Sequence, residues 1–297
     1  MDVTSRIERA LNEAIGQAEL PGCPPRLAAA MRYAVFPRGA RVRPRLCHSV
    51  AAACGEDHPA ATNAAGAALE LLHCASLVHD DLPCFDAAET RRGRPSVHKA
   101  FGEPLAVLTG DALIVLAFQT LARLQCTPER LAALTLTVAR SVGVPLGIVA
   151  GQAWECEDEI DLAHYHRAKT GALFAAATVA GAASAGADCE PWRMVGEKLG
   201  EAYQVADDIR DAASDEDEIG KPVGRDLALG RPSAVIELGS MARSTACMTW
   251  CAARLMRSRP VPMAPNCVRS CSRKPSAWCR PSLPSSLHSH HGRDHAS

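Results

Sequence analysis

From Ser5 to Leu238 the chain is dominated by Ala, Leu, Val and Gly, and nowhere does it alternate apolar with polar residues over the length of a strand. That property constrains the fold most. A half-buried strand needs a two-residue period, whereas a helix sets its apolar residues three and four apart. Thr62–His79, Leu105–Leu124 and Gly196–Asp211 carry the second pattern, and each is predicted to be a helix. Breakers fall at Pro21-Gly22, Pro37–Gly39, Gly102–Pro104, Gly143–Pro145 and Gly220–Pro222. Aromatic residues make up only 4%, which also disfavours β-structure. No repeat with a period of about 20–50 residues is visible, so a solenoid is not expected. With 297 residues, 47% of them hydrophobic, the chain can bury one large core. The expectation is an all-α fold, a single large helical bundle.

Charge and targeting narrow the function classes. Lys plus Arg is 32 and Asp plus Glu is 33, a net charge of -1, which argues against a general nucleic-acid binder. Met1–Glu19 is polar and lacks the apolar stretch of a signal peptide. No window holds about 18 uninterrupted apolar residues, so no membrane span is expected. The best candidate, Leu105–Leu121, carries Asp111 at its middle. Thirteen cysteines in such a chain read as reduced thiols, and the eight before residue 240 as small hydrophobes. The expected location is cytoplasmic.

Composition changes near Met241. Residues 241–297 are rich in Arg, Ser, Pro, Cys and His, and no helical stripe continues past Arg254. The expected organisation is one domain over 1–240 and an atypical C-terminal segment over 241–297. Three readings of that segment stay open. Its composition fits a disordered tail. Cys267, Cys271 and Cys279 with His288, His290, His291 and His295 could form a metal site, although their spacing fits no standard zinc pattern. An abrupt loss of pattern without loss of length also fits a shifted reading frame.

Two acidic clusters end strongly apolar helices. The first is His79-Asp80-Asp81-Leu82-Pro83-Cys84-Phe85-Asp86; the second is Gln204-Val205-Ala206-Asp207-Asp208-Ile209-Arg210-Asp211. Carboxylates at the ends of core helices are costly to bury unless they are paired or hold cations. Asp207 and Asp211 share a helix face, as nearly do His73 and Asp80. Asp86, beyond Pro83, has to swing back toward the helix end. Oxygen-only donors of this kind suit Mg²⁺, which is usually held by one or two carboxylates plus substrate phosphates. Basic residues come in sets: Arg38, Arg41 and Arg43; Arg91 and Arg92; Lys169 with Thr170; Lys221 and Arg225, with Arg231 beyond. Arg forks and Lys point charges are what diphosphates require.

On these motifs, from about Arg26 to Leu238, the sequence resembles the trans-type isoprenyl diphosphate synthases, and within them the bacterial geranylgeranyl diphosphate synthases of carotenoid pathways. The resemblance implies the isoprenoid synthase fold, an α-bundle with a deep central cavity, and a homodimer. It implies condensation of isopentenyl diphosphate with dimethylallyl, geranyl and farnesyl diphosphates to (all-E)-geranylgeranyl diphosphate. It further implies two to three Mg²⁺ ions, with Asp80, Asp86 and Asp207 as ligands and Asp81, Asp208 and Asp211 near them. Arg91, Lys169, Thr170, Gln204, Lys221 and Arg231 would bind the allylic diphosphate, and Arg43, His73 and Arg92 isopentenyl diphosphate. Gly110–Leu113 and Gly151-Gln152 match family positions with structural roles.

Two departures concern the substrate sites. Ala40 stands where the family has a Lys that contacts isopentenyl diphosphate, and Arg38 or Arg41 is the candidate to compensate. Arg225 replaces a common Lys with charge kept. The fifth residue before Asp80 often gates product length in the family; here it is Ala75, with Ser76 next, which favours the twenty-carbon product. The rival readings are a farnesyl diphosphate synthase, another prenyl-cation enzyme, a non-catalytic regulatory subunit, and an acidic binding protein using Asp215–Glu218.

Overall fold

The structure is a computed structural model that describes residues 2–36, 39–159 and 162–213, with the backbone alone at 162, 163, 205 and 207–213. Its helices are α1 (Val3–Gly16), α2 (Pro25–Val35), α3 (Val42–Ala53), α4 (Pro59–Asp80), α5 (Val97–Phe101), α6 (Glu103–Ala122), α7 (Pro128–Val142), α8 (Ile148–Ala153), α9 (Leu162–His166), α10 (Ala172–Ser184) and α11 (Glu190–Ala213). A two-stranded hairpin, β1 (Thr90–Arg91) and β2 (Arg94–Pro95), lies between α4 and α5. The all-α expectation holds, with this hairpin as the addition.

Local chemistry sets the helix starts. Pro sits in the first turn of α2, α4, α6 and α7, where its missing N–H costs nothing and its fixed φ suits the helix. Asp2 caps α1 by accepting from Ser5 N at 3.1 Å, and Thr127 caps α7 by accepting from Arg130 N at 3.4 Å. The predicted helix Gly196–Asp211 begins earlier, at Glu190, because Trp192 is buried against Val50 and Ala182.

α4 and α10 form the centre. α4 packs against α1, α3, α6 and α10, and α10 against α3, α4, α7 and α11. Leu69, Leu71, Leu72, Leu113, Leu121, Leu134 and Leu173 are fully buried in one core. Each such side chain contributes about 1.5–3 kcal/mol on leaving water. α10 is buried at every residue from Leu173 to Ser184, and its small residues let neighbours approach. A Cβ on Gly181 would come within 2.5 Å of the Cys47 carbonyl on α3. α6 approaches α4 in the same way: a Cβ on Gly110 would lie 2.0 Å from His79 Nε2.

One expectation changes here. Of the eight described cysteines, Cys47 and Cys74 are buried, and burial pushes their thiols up to about 12 and about 11. Cys84 and Cys156 are exposed instead, because each lies on a turn just past a helix. α6 is long and apolar enough by length and composition to cross a membrane, despite Asp111. Its inner face, including Leu113, Ala117 and Leu121, is nevertheless packed into the core. Its outer face leaves Val107, Leu108 and Val115 exposed.

Candidate active site

α4 delivers the first acidic motif. Asp80 ends the helix and Asp81 caps it, its N–H donating to Leu77 O at 3.1 Å. The chain then folds back, as the sequence requires: Asp86 N donates to Asp80 O at 2.9 Å, and Ala88 N to Asp81 O at 3.1 Å. Three carboxylates thus gather at a helix C-terminus, which is already the negative end of the macrodipole. Burial raises Asp80 to about 6, with Lys169 and Arg91 opposing the rise and Asp86 and Glu155 adding to it. No hydrogen bond to the Asp80 carboxylate is formed among the described residues.

Asp81 is used differently. It is 2% exposed and accepts from Arg91 Nε at 3.0 and 3.2 Å and from Nη2 at 2.5 Å. Burial raises its carboxyl, and the Arg91 guanidinium works against that rise. Arg91 lies on β1, and Arg92 and Gly93 form the two-residue turn, both at positive φ (53° and 75°). That geometry matches the right-handed twist of a hairpin. The Arg92 guanidinium rests on Gly39, where a Cβ would come 2.7 Å from Nη2.

A cationic pocket adjoins. Arg43 lies in the first turn of α3, buried, its guanidinium 5.2 Å from the Phe174 ring centroid. His73 is held well below its ordinary pKa by burial and by Arg43, Arg92, Arg91 and Arg41, so it is neutral. Ala40 is exposed. Arg41 does not replace the absent Lys. It is 3% exposed, takes the left-handed conformation (φ 51°), and donates to Glu8 Oε1 at 3.0 Å, Glu70 Oε1 at 2.8 Å and Val35 O at 3.0 Å. Arg38 lies outside the described residues.

Lys169 and Thr170 sit on a π turn, Arg167–Gly171, whose wide winding is frequent at functional sites. Lys169 is ion-paired with Glu155, and Thr170 Oγ1 donates to Gln204 Oε1 on α11. Sequence reasoning missed Glu155 and its second partner Tyr165. The only signal was their closeness to Gln152 and Lys169.

On α4 the half-buried residues His73, Ser76, Leu77 and Asp80 make one face. Ser76 therefore shares the face of Asp80, with its Oγ donating to His73 O at 2.9 Å. Ala75 points into the main core and is 1% exposed. Asp207, Asp208 and Asp211 fall on α11, Asp207 and Asp211 one turn apart. Lys221, Arg231 and the change of character at residue 241 lie outside the described residues.

The donor set suits a hard divalent cation. Asp86 is folded back onto the end of α4, and burial together with the Asp86 charge makes the ionised Asp80 carboxylate unfavourable without a cation. Two carboxylates leave coordination positions for phosphate oxygens, the usual arrangement for Mg²⁺. Cations flank them on both sides, Arg91 through Asp81 and Lys169 through Glu155.

The polyprenyl synthetase family model matches residues 24–253 of this chain. Geranylgeranyl diphosphate synthase of Cereibacter sphaeroides is 56% identical over 240 residues, covering 80% of this chain and 83% of its own. The protein of the same name from Rhodobacter capsulatus is 53% identical with the same coverage. Among solved structures, the geranyltransferase of Helicobacter pylori, complexed with magnesium and isoprenyl diphosphate, is similar at a TM-score of 0.72 and 27% identity, over 86% of this chain and 89% of that one. The fold, the order of the acidic and basic motifs and these matches lead to one assignment: the chain belongs to the polyprenyl synthetase family.

Proposed function

We propose that this chain is a prenyltransferase that condenses isopentenyl diphosphate head-to-tail with allylic diphosphates to give (all-E)-geranylgeranyl diphosphate for isoprenoid biosynthesis. The observation that carries the reading is the acidic rim of Asp80 and Asp86 flanked by Lys169, Arg91, Arg92 and Arg43. Two similar synthases that share more than half of the aligned residues support the twenty-carbon product over a farnesyl product.

Arg91, Lys169, Thr170, Gln204, Lys221 and Arg231 bind the allylic diphosphate. Asp80, Asp86 and Asp207, with Asp81, Asp208 and Asp211 near, would hold two to three Mg²⁺ ions, which would supply further positive charge beside the leaving diphosphate. Positive side chains preorganised around that developing charge lower the barrier to breaking the allylic C–O bond. Arg43, His73 and Arg92 hold isopentenyl diphosphate so that its double bond attacks the allylic cation. A proton then leaves to the released diphosphate, and no enzyme nucleophile is needed. The apolar walls keep water from the cation.

Ala75 and Ser76 set product length, and Ser76 is the one on the face of Asp80. The exposed Val107, Leu108 and Val115 of α6 support a homodimer through that helix. The working location is the cytoplasm, and residues 1–240 form the synthase domain.

The test is incubation of purified protein with Mg²⁺, isopentenyl diphosphate and each allylic primer, with products identified by chain length. Geranylgeranyl diphosphate is expected, and Ser76→Tyr is expected to shorten it. A fifteen-carbon end product would overturn the product assignment. No turnover at all would favour a regulatory subunit.

A further inference from the structure

Glu155 lies on the single 3₁₀ turn Trp154–Cys156 that follows α8, with its side chain 8% exposed. One oxygen, Oε1, accepts from two donors: Tyr165 Oη at 2.6 Å and Lys169 Nζ. Gln152 Nε2 lies 3.5 Å from the other oxygen. The Lys169 ammonium is also 5.6 Å from the centroid of the Tyr165 ring, and Tyr165 is buried. The backbone is committed as well. The π turn sets Lys169 against Gly151, where a Cβ would come 2.4 Å from Lys169 N. A buried carboxylate, a buried phenol and a widened helical turn therefore converge on one ammonium.

Lysine carries its charge on a flexible four-carbon stem with three donors. A single acceptor on a rigid turn fixes the stem and leaves donors for an incoming anion. The phenol on the same Oε1 shares that oxygen's capacity, so the carboxylate holds the ammonium without saturating it.

We propose that Glu155 and Tyr165 are positioning residues that preset Lys169 to receive the diphosphate of the allylic substrate. The inference rests on the proposed role of Lys169 as a ligand of that diphosphate. It assigns neither residue a contact with isopentenyl diphosphate, and this makes it separable from a general structural role.

The experiment compares the full chain with Tyr165→Phe and Glu155→Gln. Steady-state kinetics vary each substrate in turn, and calorimetry with Mg²⁺ measures binding of a non-ionising thiolo analogue of geranyl diphosphate. Loss of the phenol's bond to the Glu155 carboxylate, which reaches Lys169 only through that carboxylate, predicts about a fivefold rise in allylic KM and in the analogue's dissociation constant for Tyr165→Phe. Loss of a charged partner predicts about a tenfold or larger rise for Glu155→Gln. The isopentenyl KM and the melting temperature of Tyr165→Phe are expected to stay unchanged. Equal rises in both KM values, or unchanged analogue binding in Tyr165→Phe, would overturn the proposal. Should Glu155→Gln not fold, the phenylalanine variant decides alone. An unsubstituted chain that binds the analogue but makes no product would defeat the functional reading and leave the pair to the binding comparison. One that does neither defeats both.

Discussion

Arg41 and Lys169 are two cations gripped by carboxylates, and they illustrate opposite uses of the same pairing. Arg41 lies where α1, α2 and α4 meet the start of α3, with all three guanidinium nitrogens bonded to Glu8, Glu70 and Val35. Its partners come from three helices, so its fork works as a fastener. Lys169 has one paired carboxylate at the edge of the acidic rim, shared with a tyrosine. A cation whose donors are consumed in the interior builds the frame. A cation with donors left at a cavity edge can bind an anion. The lesson is to count occupied donors, not charges, when sorting basic residues in such a site.

The sharpest way to break the comparison is Arg41→Gln. It leaves two buried carboxylates without their cation, and about 3–5 kcal/mol of stability is expected to be lost. Urea melts check this; activity lost at unchanged stability would place Arg41 in the substrate site instead. Lys169→Ala should do the reverse. It is expected to lower kcat/KM for the allylic primer about 10²–10³-fold, the size of a lost charge-stabilising donor. Circular dichroism melts should show a smaller drop than for Arg41→Gln, because one carboxylate is left and it keeps its Tyr165 donor; an equally large drop would merge the two cases.

His48 extends the frame side of the comparison. It is buried on α3 with neither ring nitrogen bonded among the described residues, and burial, aided by Arg6, lowers it to about 4. The unfolded imidazole titrates near its ordinary value of about 6.5, so between these values the unfolded chain binds more protons. Stability is therefore complete above about pH 6.5 and falls by up to about 3 kcal/mol as pH drops toward 4. Denaturant melts against pH check it, with His48→Gln flattening that part of the curve. The smallest effect is expected from Ala40→Lys, which adds an exposed cation next to Gly39, on which Arg92 rests. A gain of about 1 kcal/mol would lower the isopentenyl KM about fivefold and leave the allylic KM alone. Kinetics with each substrate varied would show it.

The sequence shows most of the frame and part of the site, and the division follows distance along the chain. The fold-back of Asp86 onto Asp80 is a short-range consequence of Pro83 and the helix end, and it was readable. The shared face of His73, Ser76 and Asp80 follows from helical spacing alone. The fate of Arg41 was not readable, because Glu8 and Glu70 lie 33 and 29 residues away. Glu155 and Tyr165 were hidden for another reason: their meeting with Lys169 depends on a π turn that no regular periodicity announces. The hairpin was missed because two-residue strands are too short to show alternation.

The Arg92-Gly93 turn has a consequence for anyone engineering this enzyme. Arg92 occupies a left-handed conformation that Asn or Gly adopts with less penalty, and a non-glycine residue there costs on the order of 1 kcal/mol. A redesign aimed only at backbone strain would replace Arg92 with Asn, and a gain in heat resistance is the expected result. It would also remove the guanidinium lying on Gly39 beside the cationic pocket. The strained residue at the tip is also the one proposed to hold isopentenyl diphosphate, so on that reading this hairpin sets thermostability against turnover.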